Sequence, residues 1–137
     1  DWLKTAETGD AKALVALATD DVVISSQYMP ADTKGKKALE KETATGSKAF
    51  VDQKNNVTNC VAAGDLVACE YTWQATWKGP AMGMKPTGKT GTVHSVEVVK
   101  VKDGKVLHAT GYANGAEFAS TFGLMDDKAG SGAPAKK

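Results

Sequence analysis

A β-hairpin signal near residue 103 constrains the fold of this chain more than any other feature of its sequence. Two strand-like runs, residues 90–101 and 105–113, flank Asp103-Gly104, a dipeptide typical of two-residue type I′ turns. The pattern therefore predicts a long antiparallel hairpin. A regular ladder beyond the turn gives the pairs Lys102–Lys105, Val99–His108 and Val96–Gly111.

This register decides which side chains share a face, because successive strand residues point to opposite sides of a sheet. The predicted register places Glu97, His108 and Tyr112 on one face of the hairpin. The opposite face carries three small residues, a histidine and two valines. These are Ala109, Gly111, Ala113, His94, Val96 and Val98. A slip of one residue would exchange the two faces.

A second hairpin is predicted upstream, where residues 57–62 and 66–78 flank Ala63-Gly64-Asp65. A two-residue turn there puts Cys60 directly opposite Cys69, at a separation that a disulfide accepts. Two alternatives stay open, a disulfide or two buried thiols, and a disulfide would favour an exported protein. The abrupt start of the sequence is compatible with export or with a trimmed chain, so the compartment stays open.

The long strand of this second hairpin has an apolar set of alternating side chains: Val67, Cys69, Tyr71, Trp73, Ala75 and Trp77. The aromatic members either fill a core or line a cavity. The three small residues of the first hairpin favour empty volume beside Trp73 and Trp77. On the predicted register, His94 is the most chemically capable side chain next to that volume.

Helices are predicted ahead of the sheet. Residues 2–8 have the pattern of a helix end, and Asp10 is a suitable N-cap for a second helix, which Asp20-Asp21 ends. Residues 22–24 have the β-branched density of a strand, and residues 35–51 predict a further helix. The fold class is therefore α+β.

Composition favours one ordinary globular domain, with 137 residues, 42% of them hydrophobic and 24% charged. Residues 1–125 form this domain, and residues 126–137 form a flexible tail. No apolar run approaches the roughly 18 residues that span a bilayer. The net charge of +1 gives no reason to expect nucleic acid or a membrane surface, and all 17 basic residues are lysine, which lacks arginine's bidentate fork.

A turn, a hairpin and a closing motif follow one another in three segments: GPAMGMKPTGK, KDGKVLHATGYANG and FASTFGL. In this order they resemble SnoaL-like polyketide and ester cyclases of the NTF2-like superfamily. The resemblance implies a cone, with N-terminal helices packed on a strongly curved antiparallel sheet that encloses an apolar pocket. It also implies acid–base catalysis by an aspartate on the last strand. The matching positions are Gly111 and Asn114, so the family's acid is absent there.

In the implied pocket, His94 is the candidate acid–base group, with Tyr28, Gln27 or Ser26 as partners to test. Met82 and Met84 either pack within their loop or close over a ligand. No cofactor is expected, and two histidines on opposite faces do not converge on a metal. The expected ligand contacts are Tyr28, Tyr71, Trp73, Trp77, Met82, Met84, Val96, Ala109 and Gly111.

Three functions follow from these expectations. The first is binding of a small apolar or aromatic molecule without catalysis, and the second is cyclase, isomerase or hydrolase chemistry by His94. The third is an interaction domain with a filled core. Ketosteroid isomerases carry a base where this chain has Ser25-Ser26, and limonene-epoxide-hydrolase-like enzymes need an arginine, so neither mechanism transfers. The resemblance also implies a homodimer through the sheet face that carries Glu97 and His108.

Overall fold

Four helices and six strands make up the part of the chain that the computed structural model describes, residues 1–124. The expected tail, residues 126–137, lies outside the described residues. In chain order the elements are α1 (Trp2–Thr8), α2 (Ala11–Ala16), β1 (Ala18–Ser26), β2 (Thr33–Lys34), α3 (Lys36–Ala49), β3 (Phe50–Ala63), β4 (Leu66–Trp77), β5 (Thr90–Lys102), β6 (Lys105–Ala113) and α4 (Gly115–Thr121).

The second helix is shorter than predicted. Asp10 caps α2, since its carboxylate accepts the Ala13 N–H at 3.0 Å. The prediction that Asp20-Asp21 ends this helix is wrong, because α2 ends at Ala16 and both aspartates lie inside β1. That strand buries Ala18 and Val22 and leaves the two aspartates exposed, so the charges are solvated on a strand.

The sheet has the strand order β2-β1-β6-β5-β4-β3. Strands β3 to β6 pair antiparallel with their neighbours, and both predicted hairpins are present. Strand β1 pairs antiparallel with β2 and parallel with β6. The first and last long strands of the described chain are therefore neighbours at the centre of the fold.

The turn at Asp103-Gly104 forms as predicted, but the register beyond it does not. Both turn residues have positive φ angles, 51° and 77°, and Lys102 pairs with Lys105. A bulge at Leu107 then shifts the ladder by one residue. Val101 still pairs with Val106 on the predicted register, and the shifted pairs beyond the bulge are Lys100–His108, Val99–Ala109, Glu97–Gly111 and Ser95–Ala113.

Because of the bulge, each β5 side chain beyond it shares a face with the β6 side chains that the regular ladder places on the other face. Glu97 lies on the inner face, which is the face that the helices cover. It shares this face with Gly111, so the prediction that the two residues point to different faces of the sheet is wrong. His94 and Val96 lie on the uncovered outer face, so the prediction that they share a face with Gly111 is also wrong. Tyr112 is on the outer face, as predicted.

Two apolar clusters fill the space between the helices and the inner face. The ring centroids of Trp77, Phe118 and Phe122 lie 4.9 to 6.5 Å apart, which is close aromatic packing. The buried members of the first cluster are Leu14, Ala18, Val22, Leu39, Val106 and Ala109. The buried members of the second cluster are Trp77, Val93, Phe118 and Phe122.

Cys60 and Cys69 form a disulfide between β3 and β4. They stand opposite each other, as expected from a two-residue turn that pairs Ala63 with Leu66. A disulfide is compatible with an oxidising compartment. Among the described residues, no helix has both the length and the apolar character needed to cross a membrane.

Candidate active site

A row of paired residues that includes Ser26 and Glu97 crosses the centre of the inner face, between the two apolar clusters. Each residue of this row pairs with the next one on the neighbouring strand. In β6 the row separates Ala109 of the first cluster from Ala113, which packs against the second. We call it the central row, and its members are Ser26, Gly111, Glu97, Cys69 and Cys60.

Glu97 is the ionisable residue of the central row, and α1 holds its carboxylate. The Trp2 indole N–H donates to Glu97 Oε2 at 2.7 Å. Burial raises the pKa of Glu97 above its ordinary value of 4.5, and hydrogen bonds from Trp2 and Tyr71 partly oppose that rise. A carboxyl group in such surroundings can take up or release a proton at a higher pH than a surface carboxyl.

Tyr71 hydrogen-bonds this carboxyl group, and Tyr28 is a second tyrosine of the site region, with a buried hydroxyl. Burial, and then the charge of Glu97, raise the pKa of Tyr71, so its hydroxyl stays protonated. Burial, and then the charge of Glu117, raise the pKa of Tyr28 to about 12. Within residues 1–124, the Tyr28 hydroxyl oxygen is buried without a hydrogen-bond partner. Because such burial is costly, this hydroxyl is a natural contact for a polar atom of a ligand.

Gly111 leaves open space beside Glu97, its partner across the two strands. A Cβ at Gly111 would have nothing within 4 Å. The situation differs at Gly91, which lies on the same face of β5, because a Cβ there would overlap the Thr121 side chain of α4. The inner face is therefore closely packed near α4 and open at the centre of the row.

His94 belongs to a different part of the molecule. Its Nδ1 lies 2.9 Å from Glu117 Oε2, and its backbone N–H donates to Glu117 Oε1 at 2.6 Å. The backbone N–H, followed by the imidazole, lowers the pKa of Glu117. The His94 side chain is 72% exposed. It lines an outer-face groove of about 430 Å³ together with Val96 and Tyr112.

Asn114, one of the two positions where the resemblance places an acid, is the N-cap of α4. Its side chain accepts the Glu117 N–H at 3.0 Å. Glu117 occupies the third position of the helix and turns its own carboxylate to His94 instead of closing a capping box. The two matching positions thus have separate roles, with Asn114 starting a helix and Gly111 leaving room.

The predicted ligand contacts fall into three structural groups. Trp77 and Ala109 are fully buried in the apolar clusters. Met82 and Met84 are exposed in the turn after β4, and Val96 lies on the outer face. The remaining four are partly exposed on the inner face or at its border, and their contact with a ligand stays a prediction: Tyr28, Tyr71, Trp73 and Gly111.

Sequence reasoning does not single out Glu97 or Trp2 as a candidate site residue. A regular ladder predicts Glu97 on the opposite face, and the bulge at Leu107 is what makes that prediction wrong. Trp2 is 95 positions away from Glu97, and nothing local to either residue indicates the contact. Within the part of the chain that the structure describes, no group of three or more His, Cys, Asp or Glu side chains could hold a metal ion.

Family membership is decided by sequence comparison. The profile of the SnoaL-like polyketide cyclases matches residues 1–120 of the 137. The chain belongs to this SnoaL-like family. Comparison with curated proteins gives no match. The family that the three sequence segments indicated is therefore confirmed.

Solved structures confirm the fold of this SnoaL-like protein. AclR from Streptomyces galilaeus is 27% identical, with a TM-score of 0.73 and 90% of each chain covered. A protein of ketosteroid isomerase-like fold from Catenulispora acidiphila, in complex with trimethylamine, is 16% identical, with a TM-score of 0.78 over 89% of this chain and 88% of that chain. An NTF2-like protein from Burkholderia thailandensis is 15% identical, with a TM-score of 0.71 over 88% of this chain and 91% of its own.

Proposed function

We propose that this SnoaL-like domain is an acid–base enzyme, of cyclase or isomerase type, in which Glu97 transfers the proton. The observation that carries the proposal is the position of this carboxyl group: on the inner face, with a raised pKa, next to the open space at Gly111. Cyclisation and isomerisation of carbonyl compounds both require proton transfer between carbon and oxygen. In this proposal Glu97 of β5 supplies the acid–base group that the last strand, β6, lacks at Gly111.

Apolar side chains flank the central row and suit the carbon skeleton of a small molecule. Ile24 and Val99 pack against the first cluster on one side, while Trp73 and Ala113 pack against the second cluster on the other. Small-molecule sites typically combine such apolar walls with a few polar groups that fix orientation. We therefore expect a small, mainly apolar or aromatic substrate that carries a carbonyl or hydroxyl oxygen.

The tyrosines supply the second half of the proposed chemistry. Tyr28 donates its unpaired O–H to the substrate oxygen while Glu97 accepts the proton of an adjacent carbon. The electrons of the broken C–H bond move to the oxygen, whose developing charge the Tyr28 hydroxyl stabilises. Glu97 then returns the proton to carbon or oxygen of the product. Protonated Tyr71 beside Glu97 supports the ionised carboxylate.

Replacing Gly111 with leucine should block ligand binding, because the new side chain would occupy the open space beside Glu97. Small aromatic ketones and phenols can be screened for binding by calorimetry, and the Gly111→Leu variant should bind none of the hits. His94→Ala is the matched control, since it alters the outer face, and its affinity and turnover should be unchanged.

Two results would contradict this assignment. Unchanged affinity in a folded Gly111→Leu variant would place the ligand elsewhere. Lost turnover in His94→Ala would return the catalytic role to the histidine. Hits that bind at the central row and never turn over would favour the binding protein without catalysis.

We also propose that the outer face pairs two copies of the chain. Val61, Leu66 and Tyr112 lie on this face and are 64%, 46% and 57% exposed, an arrangement that favours association. Light scattering at micromolar concentrations should give the mass of a dimer, and Tyr112→Glu should shift the protein toward monomer. A wild-type monomer throughout that range would overturn the proposal.

A further inference from the structure

We propose that Trp2 is a positioning residue for Glu97. Helix α1 is then part of the site, because the Trp2 indole fixes one carboxylate oxygen of Glu97. This inference rests on the proposed function of Glu97 as the acid–base group. It concerns a residue on α1, a helix that lies outside the strands of the central row.

The contact between Trp2 and Glu97 is direct and well supported by packing. The indole N–H lies 2.7 Å from Oε2, a short distance for a nitrogen donor and typical of a charge-assisted hydrogen bond. The Trp2 ring packs against the first apolar cluster, which restricts its rotation. The carboxylate is therefore oriented by a rigid donor whose own position is set by the core.

Asn55 of β3 anchors α1 to the sheet through two hydrogen bonds. It is 4% exposed, its side-chain Nδ2 donates to the Leu3 carbonyl at 2.7 Å, and its backbone N–H donates to Glu7 Oε2 at 2.6 Å. These bonds hold both turns of α1 against β3. A helix of seven residues, too short to be stable alone, is thus fixed in place with its tryptophan over Glu97.

The surroundings of Glu97 leave few other groups that could set its proton affinity. Trp2 contacts it from α1, Tyr71 and the disulfide-bonded Cys69 lie on β4, and Gly111 faces it from β6. Of these groups, Tyr71 titrates, and only at high pH. The indole N–H stabilises the ionised carboxylate, so it keeps Glu97 available as a base against the effect of burial.

The test is Trp2→Phe, which keeps an aromatic ring and removes the N–H donor. The titration midpoint of the Glu97 carboxyl carbon, followed by NMR, should move to higher pH. The acid limb of kcat against pH should move by the same interval, with KM nearly unchanged. Trp73→Phe is the control: its indole donates to Gln53 Oε1 at 2.9 Å, so this variant also loses an indole hydrogen bond and should leave the Glu97 midpoint in place.

The outcomes separate this inference from the proposed function. An unmoved Glu97 midpoint in Trp2→Phe overturns the positioning role, whatever happens to turnover. A moved midpoint together with normal turnover in Glu97→Gln sustains the positioning role and refutes the proposed chemistry. Should Trp2→Phe not fold, the wild-type protein decides, since the Trp2 indole proton resonance must titrate with the Glu97 midpoint. If the chemical shift of the indole proton does not change as the pH passes through the Glu97 midpoint, the inference is overturned.

Discussion

Replacing Glu97 with glutamine should reduce turnover by roughly 100- to 10,000-fold, the usual contribution of a general acid–base group. Glutamine has nearly the same shape, and its side-chain oxygen can still accept the Trp2 indole N–H. It cannot accept a proton from the substrate. Binding of the ligand should therefore persist while kcat falls, and steady-state kinetics with calorimetry on the same preparation would separate the two quantities.

Glu70→Gln is the matched control for this experiment. Glu70 is also a β-strand glutamate, but it pairs with Val96 and lies on the outer face. The same chemical change there should leave kcat within a few-fold of the wild type. If Glu97→Gln turns over substrate at the wild-type rate, the carboxyl group on the inner face has no catalytic role.

The Glu97→Gln variant should also change how the stability of the protein depends on pH. Because burial raises the pKa of Glu97, the folded protein keeps this proton to higher pH than the unfolded chain does. The contribution of Glu97 to stability is complete below its ordinary pKa of 4.5 and is lost as the pH rises through the folded-state pKa. Glu97→Gln removes that loss, so it should unfold at a higher temperature than the wild type at neutral and alkaline pH.

Replacing Trp77 with alanine should lower the free energy of unfolding by about 3 to 5 kcal/mol, as is usual when a buried aromatic ring is removed. Trp77 is 0% exposed, and its ring lies 5.6 Å from that of Phe50 and 6.3 Å from that of Phe122. The cavity left behind would be surrounded by other rings that cannot close in without losing their own contacts. Equilibrium unfolding in urea would measure the loss.

The Trp77→Phe variant separates two possible causes of this loss of stability, the aromatic packing and the indole hydrogen bond. Phenylalanine keeps most of the aromatic packing and loses the indole hydrogen bond to the Gly79 carbonyl, which is 2.7 Å long. Its loss of stability should therefore be clearly smaller than that of the alanine variant. Equal losses in the two variants would show that the hydrogen bond, and not the packing of the second cluster, is what Trp77 contributes.

Local features explain how much of the fold could be predicted. The turn at Asp103-Gly104 needs two positive φ angles, and the residue types present there reveal this need. The turn at Gly64-Asp65 similarly gave the pairing of Cys60 with Cys69. Helix α1 and both hairpins were predicted because each depends on neighbours in sequence. The family and its fold class followed from the order of these pieces.

The site could not be predicted to the same extent, because it depends on one bulge and one distant contact. Leu107 has no sequence property that marks it as an extra residue, yet its bulge turns Glu97 inward and His94 outward. With a regular ladder the histidine is the obvious candidate. The hydrogen bond from Trp2 joins residues that are 95 positions apart, which no periodicity can indicate.

The parallel pairing of β1 with β6 has a consequence for how the protein is made. Ile24 pairs with Ala109, about 85 positions later, and contacts of such long range form slowly because a large loop must close first. The first apolar cluster takes Leu14, Val22 and Leu39 from the early chain and is covered only when Ala109 arrives. While the ribosome is still synthesising the two hairpins, the early segment lacks its apolar counterpart. The nascent chain is therefore exposed to aggregation until nearly all of the domain has left the ribosome.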